Sequence, residues 1–183
     1  MGVVIALVVI VLLVLLGVWA FNKLVRLRNR ADEAYAQIDV QLKRRYDLVP
    51  NLVETVKGYA AHEKSTFEAV TSARAAAQSA TGVAATAEAN NALTGALRGL
   101  LAVAEAYPQL QASQNFRDLQ EQLTTTENQI AFARQFYNDS VRALNTAIET
   151  FPTMLLAGPA KATRREYFEV NDEAVREAPK VQF

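Results

Sequence analysis

Residues 3–21, VVIALVVIVLLVLLGVWAF, form an apolar run without a single charge. Nineteen residues at about 1.5 Å each reach roughly 28 Å, close to the hydrocarbon thickness of a bilayer. No other feature constrains the fold as much. A cleaved signal peptide would carry a basic leader, a shorter apolar core and a small-residue cleavage site. Here only Met1 and Gly2 precede the run, and Trp19 and Phe21 close it like an interfacial aromatic belt. The expectation is an uncleaved anchor in the lipid bilayer over residues 1–21.

Lys23, Arg26, Arg28 and Arg30 follow at once and form a basic collar over 22–30. By the positive-inside rule the N-terminus lies outside and the body in the cytoplasm. All 19 acidic residues and 15 of the 19 basic ones come after residue 30, so the body is formally −4 and the collar +4. A body of that sign is not built for nucleic acid. The collar could touch anionic headgroups at roughly 1 kcal/mol per basic residue, although a plain topology signal suffices to explain it. The absence of cysteine excludes disulfides, thiolate zinc sites and iron–sulfur clusters.

The body, 31–151, reads as helix nearly throughout, its first helix beginning near 22. Apolar or small residues at Leu24, Leu27, Ala31, Ala34, Ile38 and Leu42 step by three and four, and no breaker separates them from the anchor. Pro50 is well tolerated at a helix start and restrains Val49. A short hairpin turn there, with a second helix over about 50–79, is preferred to one long helix kinked at Pro50. Residues 75–92, centred on Gly82, read as a mobile loop, and a third helix follows over about 86–106. After Pro108 comes a connector in which Ser113 or Asn115 could cap the next helix. The longest stripe is Phe116, Leu119, Leu123, Thr126, Ile130, Ala133, Tyr137, Val141, Leu144, Ile148 and Phe151, ended by Pro152. Residues 152–183 are loop and extended tail. The expected fold is all-α: an N-terminal transmembrane helix continuing into an up-and-down four-helix bundle.

Two polar groups stand out. Arg44, Arg45, Asp47, Asn51, Glu54 and His62 crowd the region around Pro50, with Glu54 and His62 roughly on one side of the expected second helix. A general acid–base pair is conceivable, but a solvated face with ordinary helix ion pairs explains the same residues. Glu127, Asn128, Arg134, Tyr137 and Asn138 share the longest helix. They read as groups that set helix register, or as a polar interaction surface facing the first group. His62-Glu63 opens an H-E-x-x-H pattern that Thr66 breaks, and the chain has one histidine. There is no Walker loop, G-x-S-x-G or Rossmann glycine pattern. No cofactor, metal or catalytic residue is expected, and the chain reads as a non-enzyme.

The stretches LVRLRNRADEAYAQIDVQLKRRYDLVPNLVETVKGYAAHE, LLAVAEAYPQLQASQNFRDLQEQL, TENQIAFARQFYNDSVRALNTAIETFP and the tail EYFEV…REAPKVQF resemble the LemA family over nearly the whole chain. The resemblance implies a single-pass bacterial membrane protein with a helical bundle, tied to membrane organisation and to no established reaction. After AG, family members commonly carry an apolar stretch ending in Gly-Phe. Here AGPAKATRREYFEV, with Pro159 and Lys161, departs from it, so docking of that segment by an aromatic anchor is not carried over. The resulting expectation is a scaffold that self-associates and binds other membrane proteins, with Tyr167, Phe168 and Phe183 as candidate subunit contacts. The alternative is a ligand sensor or enzyme using the cluster at 44–62.

Overall fold

The computed structural model describes residues 1–169. Helix α1 runs Gly2–Lys57, α2 Lys64–Ser79, α3 Val83–Glu105, α4 Pro108–Ala112 and α5 Gln114–Glu149, followed by a 3-10 turn at Thr153–Leu156. No strand occurs among the described residues, so the protein is all-α. It divides into two compact units. The first joins Met1–Asp39 to Phe132–Tyr167, and the second is Val40–Ala131 with, among the described residues, Phe168 and Glu169.

In the first unit, α1 leaves the apolar run without a break. Residues 3–16 are exposed, whereas Ala20, Leu24, Ala31, Ala34 and Ile38 are buried at helical spacing. Ala133, Tyr137, Val141, Leu144 and Ala147 of α5 are buried in the same unit. Both buried stripes mix small residues with large ones, a composition that lets helices approach closely. The Tyr35 and Tyr137 rings lie 5.6 Å apart and fix the register of the pair.

The second unit contains the end of α1, all of α2, α3 and α4, and the start of α5. Leu42, Val49, Leu52 and Val56 continue the α1 stripe into a core with Phe67, Val70, Leu93, Leu97, Leu100, Leu110, Phe116 and Leu123. Antiparallel packing of α1 and α5 follows from three contacts: Arg44 to Gln129, Arg45 to Glu127, and Thr55 to Asn115. As the α1 number rises, the α5 number falls.

Three sequence expectations change. Pro50 starts no helix; α1 passes through it and ends at Lys57, and the turn occupies residues 58–63. A proline inside a helix removes one N–H and orphans the carbonyl four residues back, at a cost of about 3 kcal/mol. That carbonyl belongs to Tyr46, and Arg74 of α2 donates Nε to it at 2.7 Å. The missing donor is thus replaced from a neighbouring helix. The chain turns instead after Gly58, where the Val56 carbonyl accepts from both Tyr59 and Ala60.

The second change concerns residues 75–92, which are helical apart from the short link at 80–82. Alanine is the strongest helix former, so a weak apolar pattern did not prevent helix formation. Gly82, at φ +87°, makes the link in a conformation that side chains resist. The third is the expected connector after Pro108, in which Pro108–Ala112 form the short helix α4; Ser113, one of the two expected cap positions, directly precedes α5 and accepts from Arg117 through its backbone carbonyl.

Candidate functional site

The first polar group does not converge. Arg45 turns inward and is only 2% exposed. Its Nε lies 2.9 Å from Glu127 Oε1, an ion-pair contact without the alignment of a hydrogen bond. Its second terminal nitrogen donates to Thr94 Oγ1 at 2.7 Å. Thr94 donates in turn to the Asn90 carbonyl. Asn90 Nδ2 donates to the Tyr46 hydroxyl and to the Thr86 carbonyl, both at 2.8 Å. The Tyr46 hydroxyl reaches the Ala77 carbonyl of α2. One connected polar network therefore touches α1, α2, α3 and α5 inside the second unit. Burial strips hydration from the Arg45 guanidinium and pulls its pKa below the usual arginine value, while Glu127 opposes this.

The other members stay outside. Arg44 donates to Gln129 at 3.2 Å and lines an open groove of about 380 Å³ with Leu48, Glu121, Gln122, Thr125 and Thr126. Asp47 and Asn51 are exposed on α1. Glu54 pairs with Lys57 at 3.5 Å, one helical turn on. His62 is exposed in the turn after α1, so it shares no helix with Glu54. The expected placement of that pair on one helix face is corrected, because the turn falls after Gly58 rather than at Pro50.

The second polar group divides between the units. Glu127 serves Arg45, and Asn128 is exposed. Arg134 and Asn138 are half-buried on α5 in the first unit. Tyr137 donates its hydroxyl to the Glu166 carbonyl at 2.9 Å. Burial raises its pKa above the ordinary tyrosine value, and Arg165 pulls the other way.

Around Tyr137 the first unit holds a strap that was not read from the sequence. Residues 162–167 leave the helical part of the chain and run without regular structure. Asn145 grips this segment at both ends of one residue: its Nδ2 donates to the Arg165 carbonyl at 3.0 Å, and its Oδ1 accepts the Arg165 N–H at 2.9 Å. The amide substitutes for a backbone partner that the irregular chain lacks. Arg165 itself pairs with Asp32 at 2.7 Å, and Arg28 donates to the Ala160 carbonyl at 3.0 Å. Arg30 lies 5.0 Å from the Phe136 ring centre. Two of the four basic collar residues are therefore engaged with α5 and the chain that follows it. Lys23 sits 5.1 Å over Trp19, while Arg26 and Phe21 are exposed.

Of the candidate subunit contacts, Tyr167 is half-buried and Phe168 is 2% exposed, so the chain itself covers the Phe168 ring. Phe183 lies outside the described residues. The available signal for the missed groups was the presence of amides at helix-interior positions, where asparagine is a poor helix former: Asn145 follows Leu144 in the α5 stripe, and Asn90 precedes Leu93.

These features define an all-α protein with, among the described residues, one helix long and apolar enough to cross a membrane. The chain belongs to the LemA family, whose model matches residues 34–183. It is also 27% identical over 174 aligned positions to the magnetosome protein MamQ of Magnetospirillum gryphiswaldense. The match covers 81% of this chain and 64% of that relative, so the chain spans less than two thirds of the relative's length. The apolar helix and these relationships together indicate a membrane-associated protein.

Proposed function

We propose that the protein is a non-enzymatic scaffold, anchored by α1 in a bacterial membrane with its N-terminus outside and its body in the cytoplasm. In this reading it self-associates and organises membrane or partner proteins. One observation carries the reading: an exposed apolar helix continues without a joint into a body whose polar groups serve its own architecture. The buried network around Arg45 holds helices together, and the Asn145 and Tyr137 bonds hold backbone.

Self-association draws support from Phe132, which is 72% exposed on α5. An exposed phenylalanine on an otherwise well-patterned helix fits a protein contact. The sensor or enzyme alternative needs converging groups, whereas Arg45 is buried against Glu127, Glu54 pairs with Lys57 on the surface, and His62 is exposed in the turn. The name of the magnetosome relative favours work on membranes for this chain too.

The test is the mass of the full-length protein in mild detergent, measured by light scattering. A uniform oligomer that dissociates on Phe132→Ser, with helicity retained, is the expected result. A monomeric wild type would remove the self-associating scaffold.

A further inference from the structure

The end of α5 carries apolar residues that the fold leaves uncovered. Phe151 is 74% exposed, Leu155 67% and Met154 49%. They flank or form the 3-10 turn Thr153–Leu156, which is held firmly: Thr153 is buried and donates to the Ala147 carbonyl, and Met154 N–H donates to the Thr150 carbonyl. The turn is thus a rigid mount for three outward side chains.

Its height along α1 follows from register. The Tyr35 ring lies tilted beside that of Tyr137, and two antiparallel helices rise equally per residue. Moving from Tyr35 back to Phe21 along α1 matches moving from Tyr137 on to Phe151 along α5. Phe151 comes level with the Trp19–Phe21 end of the apolar run. Burial on α1 agrees, since Gly17 is already half-buried and Ala20 fully so, before the run has ended.

Charge is arranged to suit the same place. From Thr150 to Arg165 there is no acidic residue, while Lys161, Arg164 and Arg165 supply three basic ones; Arg164 pairs with Glu149 at 3.1 Å and Arg165 with Asp32 at 2.7 Å, so Lys161, exposed beside the turn, is the cation that these pairs leave to the interface. Exposed apolar residues backed by cations are the composition of a segment that lies in a membrane interface.

The geometry points to a second membrane contact: the turn after α5 inserts Phe151, Met154 and Leu155 into the headgroup–acyl boundary beside the anchor. This rests on the reading of α1 as a membrane anchor. The bilayer is held at two adjacent points, so the body is fixed in orientation as well as tethered.

The chain has no cysteine, so single labels can be placed cleanly. Full-length Val8→Cys, Leu155→Cys and Gln120→Cys, each carrying a nitroxide, are reconstituted in phosphatidylcholine–phosphatidylglycerol vesicles. Collision with lipid-soluble oxygen is compared with collision with an aqueous nickel chelate. The inference expects the Val8 and Leu155 labels to favour oxygen severalfold over the label at Gln120, an exposed site on α5. A Leu155 label that meets nickel as freely as Gln120, with Val8 still in lipid, would overturn the insertion and leave the anchor standing. A nickel-accessible Val8 would remove the anchor and the inference with it. A Leu155 label shielded from both reagents would assign the turn to a protein contact and overturn the lipid assignment.

Discussion

The two units use polar side chains for opposite purposes. In the first, asparagine, tyrosine and arginine bind backbone: Asn145 takes both groups of Arg165, Tyr137 takes Glu166, and Arg28 takes Ala160. In the second, the central bonds run mostly between side chains of different helices, through Arg45, Thr94, Glu127, Asn90 and Tyr46. The difference follows from what each must satisfy. An irregular segment brings unpaired N–H and C=O groups that burial makes costly. Helices bring their own bonds and need only to be told which neighbour to choose, a role that a buried charge can fill.

The largest effect should come from Arg45→Ala, which strands Glu127 and Thr94. It should cost about 3 kcal/mol in denaturant unfolding, near the lower end for a broken buried pair, since Glu127 is 36% exposed and partly screened by water. Arg45→Met with Glu127→Gln should recover most of that loss. Failure to recover it would mean that Arg45 contributes more than a paired charge.

Asn145→Ala comes next, at about 2 kcal/mol for two lost bonds to one residue. Its signature is local: amide hydrogens near Arg165 should exchange faster while those of α3 keep their protection. Uniform loss of protection would erase the contrast between the units.

Tyr137→Phe removes one bond and should cost about 1 kcal/mol. It also sharpens the pH behaviour. Burial raises the phenol above its ordinary 10.0, so the folded state holds that proton more tightly than the unfolded chain. The contribution is fully present below pH 10 and is lost as pH rises through the folded value. Unfolding titrated into the alkaline range should show this fall in the wild type and a smaller one in the variant.

The smallest effect is a coupling. Arg74→Met should cost about 1 kcal/mol, and clearly less in a Pro50→Ala background, where the helix regains the N–H that the proline removes. Equal costs in both backgrounds would show that Arg74 does not serve the Tyr46 carbonyl.

Periodicity made much of this fold legible. The stripes from Leu24 to Leu42 and from Phe116 to Leu144 are buried nearly as written, because spacing by three and four reports one helix face directly. The stripe fails at Phe151, which lies beyond the end of α5 and is exposed. Pro50 misled because the rule for proline is local, while the donor that rescues the helix lies on another helix, at Arg74. The bland run 75–92 misled for the converse reason: its propensity was high and its pattern weak. Among candidate site residues, the facing of Arg44 and Arg45 toward Gln129 and Glu127 was within reach of an antiparallel pairing. The Asn145 clamp was not, since it depends on where a patternless tail comes to rest.

Pro50 has a further consequence for the order of assembly. Synthesis delivers α1 before α2, so the Tyr46 carbonyl must first be served by water. The helix is completed only when Arg74 arrives from the returning chain. A misdocked α2 would leave that carbonyl unserved and the helix softened at this one turn, so the proline makes correct partnering a condition of a fully bonded α1.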